Sequence, residues 1–148
     1  TMRKLVYIAS PLSGDVEANL HFARQACLNA MSQGATPFAP HLLYPQMLDG
    51  GDPAQRELGM KMGDQMLALC DELWLCGDIV SPGMAKERQL AQELDIPVRS
   101  ISMDEILYRP PDELCWEEGP GKLRVEKTKE WDGIPGGYRI EKVVVAAE

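Results

Sequence analysis

Two acidic residues stand at positions where a protein could carry out nucleophilic and acid-base chemistry. Glu87 follows the small-residue turn Ser81-Pro82-Gly83, which comes after a short apolar run, and Asp64 lies in the preceding predicted helix. Two carboxyl groups that share a crevice can divide the roles of nucleophile and general acid, as in sugar transfer through an oxocarbenium-like transition state. Acids on helices are nevertheless usually solvated, and the residue pattern by itself favours that simpler explanation.

The segment around Glu87 predicts a buried strand, a polar turn and a helix. The apolar run 73–76 has the length of a strand, and Gly77 with Asp78 breaks it where the strand should end. Ser81 suits the N-cap of the next helix and Pro82 suits its first position. Ligands bind at the carboxyl ends of strands in an open α/β sheet, and helical side chains lean toward the helix N-terminus. We therefore expect Glu87 to face a ligand crevice.

The rest of the chain alternates predicted strands with predicted helices. The apolar run 5–9 is expected to be a central strand, and 35–39, which Pro37 interrupts, an edge strand. This alternation predicts an α/β fold with a doubly wound parallel sheet. The further predicted elements are helices over 16–33, 53–69 and 82–94, a strand that begins at 96 and a helical turn over 104–107.

The second predicted helix is rich in methionine and leucine. Leu58, Met62, Met66 and Leu69 fall on one of its faces. A methionine-rich face can bind a ligand, but methionine more often fills irregular space in a core. We therefore expect this face to pack in the core.

The composition changes after residue 108, where turn-rich segments separate two strand-like stretches, 123–126 and 138–143. We predict a domain over 1–108 and a C-terminal extension over 109–148, which forms a β-hairpin or an extended tail. Trp116, Trp131 and Tyr138 give this extension apolar area to bury on a second subunit, so a homodimer is expected. The alternative is that the extension folds onto its own domain.

Composition excludes several classes of function. The chain has 148 residues and a formal charge of −8, and it has no basic stripe, which argues against binding a nucleic-acid polymer. No apolar run approaches the length that a membrane requires. The four cysteines contain no Cys-x-x-Cys pair, which is typical of reduced thiols in a cytoplasmic protein. Neither a metal-ligand spacing nor a dinucleotide or P-loop motif is present, so we predict no metal and no cofactor.

Other candidate residues lie at predicted strand ends and helix starts. Ser10, Ser13 and Gly14 belong to a loop after the first strand that could hold an anion, because unpaired backbone N–H groups and a hydroxyl converge there. His41 lies in a loop after the second strand, where a pocket role and a structural role are both open. His21 is expected at the surface or at a helix cap.

Four segments together resemble the nucleoside 2-deoxyribosyltransferase-like superfamily. They are Tyr7-Ile8-Ala9-Ser10-Pro11-Leu12-Ser13-Gly14, Asp64, Cys70-Asp71-Glu72-Leu73-Trp74 and Ser81-Pro82-Gly83-Met84-Ala85-Lys86-Glu87. The resemblance covers about residues 5 to 98 in the same order. The superfamily includes nucleoside 5′-monophosphate N-glycosidases and an uncharacterised branch of the DUF4406 type. In its transferases the acid follows the Gly-Met pair directly, whereas two residues separate Met84 from Glu87 here.

The resemblance implies a flavodoxin-like or Rossmann-like sheet, a dimer and a role for three residues in catalysis. Glu87 would attack C1′ of the sugar and form a glycosyl ester, and Tyr7 would hydrogen-bond that acid. Asp64 would contact a sugar hydroxyl or protonate the departing base. The residues expected to bind the substrate are Ser10, Ser13, Gly14, His41, Ser81, Gly83 and Met84.

These implications predict an N-glycosidase that hydrolyses a nucleoside 5′-monophosphate. Ser81 lies six positions before Glu87, where transferases of free nucleosides commonly place an acid, and a hydroxyl at a helix N-terminus can donate to a phosphate. Asp15 and the net charge oppose an anion, whereas Lys86 and Arg88 are near in sequence. The alternatives are a nucleoside 2-deoxyribosyltransferase, or a non-catalytic module that binds a small nucleoside or nucleotide and leaves Glu87 solvated.

Overall fold

The chain folds around a four-stranded parallel sheet. A computed structural model describes residues 3–108, 113–114, 123–130 and 138–145, with side chains for residues 3–106. The strands have the order β2-β1-β3-β4. They are β1 (Leu5–Ala9), β2 (Thr36–Phe38), β3 (Glu72–Cys76) and β4 (Val98–Ile101). The intervening helices are α1 (Val16–Ser32), α2 (Pro53–Leu69), α3 (Pro82–Glu93) and α4 (Met103–Tyr108).

This arrangement confirms the predicted α/β fold, with β1 in the centre and β2 at an edge. The continuous apolar runs of β1 and β3 arise because helices cover both faces of the sheet. Successive strand residues point to opposite faces. Val6 and Ile8 pack with α1 and α4 on one face, and Tyr7 and Ala9 pack with α2 and α3 on the other.

The strand order creates a switch point between β1 and β3. From β1 the chain crosses one face through α1 to reach β2, and it returns across the other face through α2 to reach β3. The segments that follow β1 and β3 therefore leave toward opposite faces, and such a divergence opens a crevice at the carboxyl ends of the strands. Tyr7 lies on β1 and Glu87 on the helix that follows β3, so both flank this switch point.

Side-chain caps begin the helices at this edge of the sheet. Asp15 Oδ1 accepts a hydrogen bond from Ala18 N at 3.1 Å, and Asp52 Oδ1 accepts one from Ala54 N at 3.0 Å. Both contacts satisfy backbone donors that the first helical turn leaves unpaired. The loop after β2 contains two short 3-10 turns, Pro40–Leu42 and Tyr44–Gln46.

The structure corrects the predicted inner face of α2. Its buried residues are Gly63 and Leu67, and Met62 and Met66 of the predicted face are half-buried, whereas Leu58 is 48% exposed and Leu69 is 64% exposed. The helix is therefore rotated by about one residue, or roughly 100°, from the prediction. Hydrophobic periodicity favours large apolar side chains and gives no weight to glycine, although glycine is the residue that lets a helix approach a sheet closely.

The structure also corrects the prediction for His21, which is 2% exposed rather than at the surface. It belongs to a buried polar stripe on α1 that includes Gln25 and Asn29. Asn29 Nδ2 donates to the backbone oxygen of Glu105 on α4 at 3.4 Å. The packing of α1 against α4 therefore buries polar positions that the sequence pattern assigns to solvent.

A second sheet follows the parallel one in the chain. It contains β5 (Glu113–Leu114), β6 (Leu123–Glu130) and β7 (Tyr138–Val145) in the antiparallel order β5-β6-β7. The pairing of β6 with β7 confirms the predicted C-terminal hairpin. Trp116 and Trp131 lie outside the described residues, and the domain division at residue 108 stays a prediction. Over the part of the chain that is described, no helix combines the length and hydropathy needed to span a bilayer.

Candidate active site

Tyr7 and Glu87 form the centre of the candidate site. Tyr7 points from β1 toward α2 and α3 and is 2% exposed. Glu87 lies in the second turn of α3 and is half-buried. The Tyr7 hydroxyl donates a hydrogen bond to the Glu87 carboxyl group. The structure therefore brings together the two residues for which the family resemblance implies this contact.

Asp64 completes a group of three residues from three different elements. It lies on α2, largely exposed, and its negative charge acts on both Tyr7 and Glu87. The residues predicted to be catalytic therefore meet between the sheet, α2 and α3. Since each belongs to a separate element, only the packed fold holds them together.

The surroundings of these groups shift their protonation equilibria. Burial raises the pKa of Glu87 from 4.5 to about 7; the hydrogen bond from Tyr7 lowers this pKa, and the negative charge of Asp64 raises it. Burial also raises the pKa of Asp64 above its ordinary value. The pKa of Tyr7 is raised far above its ordinary value, first by burial and then by the charge of Glu87. Tyr7 therefore remains a neutral donor, while Glu87 exchanges its proton near neutral pH.

Such a set of groups suits acid-base and nucleophilic chemistry. An ionised Glu87 can attack an electrophilic carbon, and the Tyr7 hydroxyl can fix the orientation of its carboxylate. Burial raises the pKa of Asp64, which makes its ionised form a better acceptor of a proton from water. A solvated helix acid would keep its ordinary pKa, so the burial of Glu87 argues against the simpler explanation from the sequence.

The N-terminus of α3 presents a hydroxyl beside the crevice. Ser81 Oγ accepts a hydrogen bond from Met84 N at 3.2 Å, which leaves the hydroxyl proton free to be donated to a ligand. A Cβ at Gly83 would meet Ser81 Oγ at 3.9 Å and no nearer group, so the helix start has open space. Met84 is 1% exposed in the core, and the role in substrate binding predicted for its side chain gains no support from this position.

Ser10 lies at the end of β1 and is 1% exposed. Among the described residues, its hydroxyl has no hydrogen-bond partner. The Ser10 backbone oxygen lies 2.9 Å from His41 Nε2. Burial lowers the pKa of His41, so a neutral ring with its proton on Nε2 would donate to this oxygen. His41 thus ties the loop after β2 to the end of β1, which supports its structural role.

Ser13 and Gly14 belong to the turn that leads into α1. Asn19 Nδ2 donates to the backbone oxygens of Leu12 and Ser13, both at 3.0 Å. Gly14 has a φ of +98°, a left-handed conformation that favours glycine, and a Cβ there would meet nothing within 4 Å. The predicted anion loop is therefore held through its carbonyl groups and is open at its tip.

Two features next to Tyr7 escape the sequence prediction. The rings of Tyr7 and Phe38 have centroids 5.8 Å apart, and Phe38 and Tyr44 follow at 6.2 Å, so an aromatic row extends from the site toward the loop after β2. Gly63 lies against the Tyr7 hydroxyl. A glycine inside a helical pattern is a signal of close packing, but the sequence does not show what it packs against.

The described cysteines are not candidate nucleophiles. Cys27, Cys70 and Cys76 are buried free thiols. Burial raises the pKa of Cys27 to about 12 and that of Cys70 to about 11, so both stay protonated at neutral pH. Within residues 3–106 and the described strands beyond them, no three His, Cys, Asp or Glu residues are grouped to hold a metal ion. The absence of a bound metal stays a prediction.

Comparison with known proteins places this site in context. The chain has 23% identity and a TM-score of 0.56 to the solved structure of a 2-deoxyribosyltransferase from Bacillus psychrosaccharolyticus. The superposition covers 66% of this chain and 72% of that chain, and it shows a shared fold. A comparison with curated proteins gives no match.

A family model for a domain of unknown function, DUF7768, matches residues 4–101. This span holds the whole parallel sheet. It also holds Tyr7, Asp64 and Glu87, the three residues that meet beside α2 and α3. The chain, with its half-buried acid at the switch point of the sheet, belongs to the DUF7768 family.

Proposed function

We propose that this protein hydrolyses the bond between base and sugar in a nucleoside 5′-monophosphate. The observation that carries the proposal is the hydrogen bond from Tyr7 to the half-buried Glu87, whose pKa is raised to about 7 beside Asp64. The motifs that resemble the nucleoside 2-deoxyribosyltransferase-like superfamily support it. The fold shared with a 2-deoxyribosyltransferase supports it as well.

In the first step, a carboxylate oxygen of Glu87 attacks C1′ of the sugar. The bond from C1′ to the base nitrogen breaks, its electron pair goes to the base, and the departing base takes a proton from water, while the ionised Asp64 contacts a sugar hydroxyl. The products are a glycosyl ester on Glu87 and a free base. Tyr7 holds the carboxylate in line during the attack, because its hydroxyl stays protonated.

In the second step, a water molecule attacks C1′ of the glycosyl ester. The bond from C1′ to the Glu87 oxygen breaks, and the carboxylate is regenerated. Asp64, which is ionised, accepts a proton from the attacking water and passes it to the solvent. The sugar phosphate then leaves, and both acids return to their initial states.

The N-terminus of α3 is the proposed binding site for the 5′-phosphate. The Ser81 hydroxyl can donate to a phosphate oxygen while it accepts from Met84 N. The open space at Gly83 lets a phosphate approach the backbone, and the dipole of the 12-residue helix favours negative charge there. Ser13 and Gly14 follow β1 at the same edge of the sheet and are proposed to complete the site, whereas the burial of the Ser10 hydroxyl gives no support to its predicted role in binding.

Transfer of the sugar to a second base is the alternative reaction. It would use the same glycosyl ester, with a base in place of water as the acceptor. The fold shared with a 2-deoxyribosyltransferase favours this alternative. A non-catalytic nucleotide-binding module is less well supported, since binding alone does not require a half-buried acid with a raised pKa.

Incubation of the purified protein with nucleosides and their 5′-monophosphates, followed by chromatography for free base, tests the proposal. We expect base release from a monophosphate and loss of this activity in Glu87→Ala by about four orders of magnitude or more. Glu93→Gln, an exposed acid on the same helix, is the matched control and should keep full activity. Equal activity in Glu87→Ala and Glu93→Gln would remove the mechanism. A new nucleoside formed from an added base would favour transfer over hydrolysis.

A further inference from the structure

Gly63 is the point at which α2 touches the hydroxyl of Tyr7. A Cβ at this position would lie 3.0 Å from the hydroxyl oxygen, which is closer than side chains ordinarily pack. Gly63 is buried in the middle of α2 and directly precedes Asp64. A side chain at Gly63 would therefore occupy space that the Tyr7 hydroxyl already fills.

The Tyr7 side chain has little room to move away from a methyl group added at Gly63. Its side chain is 2% exposed, and its ring packs 5.8 Å from the ring of Phe38. The hydroxyl touches Gly63 and donates its hydrogen bond to Glu87. A methyl group on Gly63 would therefore push the hydroxyl out of the position in which it meets Glu87.

We propose that Gly63 is a positioning residue, whose missing side chain leaves the space in which Tyr7 orients Glu87. The catalytic consequence rests on the proposed function, whereas the contact itself does not. Glycine destabilises a helix interior relative to alanine, so intrinsic helix preference does not account for glycine here. The packing against Tyr7 does account for it.

Gly59, one turn earlier on α2, is a matched control. A Cβ there would lie 3.4 Å from Leu48 Cδ1, an ordinary contact with the end of a flexible side chain. Gly59→Ala and Gly63→Ala make the same change in the same helix. They differ in the neighbour that the new methyl group meets.

The test is a double-mutant cycle that combines Gly63→Ala with Tyr7→Phe. Two quantities are measured for each variant: the rate of base release, and the pH titration of the Glu87 carboxyl carbon by ¹³C NMR. We expect Gly63→Ala to lower kcat by about tenfold to a hundredfold and to leave KM nearly unchanged, because misplacing a catalytic group acts on the transition state. Gly59→Ala should stay within about twofold of the wild type, as expected for a site outside the reaction geometry. In the Tyr7→Phe background, Gly63→Ala should cost less than about twofold, since the hydroxyl that it displaces is gone.

The carboxyl titration gives a readout that does not depend on turnover. The hydrogen bond from Tyr7 lowers the pKa of Glu87, so Gly63→Ala and Tyr7→Phe should both raise the titration midpoint and Gly59→Ala should not. If the wild type releases no base but the midpoints follow this pattern, the proposed function fails and the positioning role stands.

Two results would overturn the inference. One is an unchanged Glu87 midpoint in Gly63→Ala. The other is an equal loss from Gly63→Ala with and without the Tyr7 hydroxyl, which would mean that the glycine serves helix packing alone. If Gly63→Ala does not fold, restored folding in the double variant with Tyr7→Phe supports the contact, and failure to restore it counts against the contact.

Discussion

At the level of single residues, Glu87 has a proposed catalytic role in an environment that disfavours its ionisation. Burial raises the pKa of its carboxyl group from 4.5 to about 7, whereas the same group in the unfolded chain is solvated. Between these two pH values, the folded protein holds a proton that the unfolded chain releases. The free energy of unfolding therefore falls as pH rises through this window, and the loss is complete above pH 7.

Replacing Glu87 by glutamine should stabilise the protein at neutral and alkaline pH. Glu87→Gln removes the ionisation, so we expect its free energy of unfolding at pH 8 to exceed that of the wild type by up to about 3 kcal/mol, the equivalent of the difference between 4.5 and about 7. Urea denaturation at a series of pH values measures this difference. It should vanish below about pH 4.5, and a gain of equal size at pH 4 and pH 8 would contradict the linkage.

The rate of base release should also depend on the ionisation of Glu87. The nucleophile must be a carboxylate, so kcat/KM should rise with pH and reach half of its maximum near the pKa of about 7. Tyr7→Phe should move this midpoint to higher pH, because it removes the hydrogen bond that lowers the pKa. Initial rates across a pH series decide the point. A rate that falls with rising pH between 6 and 8 would assign Glu87 to the general acid instead.

The buried hydroxyl of Ser10 makes a further prediction about stability. An unsatisfied buried hydroxyl costs about 1 kcal/mol or more, so Ser10→Ala should raise the free energy of unfolding by about this amount. Ser32 is the control, because its Oγ donates to the Asn29 backbone oxygen at 2.6 Å. Thermal unfolding of both alanine variants provides the comparison. Destabilisation of Ser10→Ala would show that a partner such as bound water satisfies its hydroxyl.

At the level of the elements, the start of α3 combines a structural and a proposed functional role in one side chain. Ser81 Oγ caps the helix through Met84 N. Ser81→Asp should keep the cap, because aspartate is as good an N-cap as serine, but its charge should repel a phosphate. Ser81→Ala should lose the cap at a cost of about 1 kcal/mol.

Steady-state kinetics on a nucleoside and its 5′-monophosphate separate these roles. We expect Ser81→Asp to have the same stability as the wild type. Its kcat/KM for the monophosphate should fall by about tenfold to a hundredfold, which corresponds to the loss of a charge-assisted hydrogen bond, and its kcat/KM for the free nucleoside should not change. An equal loss for both substrates would mean that the phosphate binds elsewhere. A free nucleoside that is the better substrate of the wild type would favour the transferase.

The sequence predicts the positions of helices and strands better than it predicts which of their residues are buried. Continuous apolar runs mark β1 and β3, and capping residues such as Ser81 mark helix starts, because these signals are local. The inner face of α2 and the burial of His21 depend on which surface meets another element, and local periodicity does not carry that information. For the same reason the sequence pairs Glu87 with Tyr7 only through a resemblance to a family. The burial that raises the pKa of Glu87 is seen only in the folded structure.

At the level of the whole molecule, α2 leaves apolar side chains in contact with solvent. Leu58 and Leu69, which share a face with the half-buried Met62 and Met66, are 48% and 64% exposed. We propose that a second copy of the chain covers this face in a homodimer, since large exposed apolar surfaces mark interfaces. The interface predicted from the sequence is instead the C-terminal extension, which includes residues outside the described ones.

Light scattering at micromolar concentration should give about twice the mass of the 16.4 kDa chain, as a two-fold homodimer requires. Leu58→Lys should shift the protein toward the monomer, because it places a charge in the interface. Leu94→Lys, a 44% exposed residue beyond the end of α3, is the control and should leave the mass unchanged. A single 16.4 kDa species in the wild type would exclude the dimer under these conditions.

The parallel pairing of β1 with β3 also determines when, during folding, the candidate site forms. During folding, this pair must close over the whole segment that contains α1, β2 and α2, and such long-range closure is slow. Until it closes, Tyr7 cannot reach Glu87, and Glu87 titrates like any solvated acid. At about pH 6, between the two pKa values, the closing step must take up a proton from solution. Refolding in a weakly buffered indicator solution should therefore report the formation of the site as a lasting rise in pH.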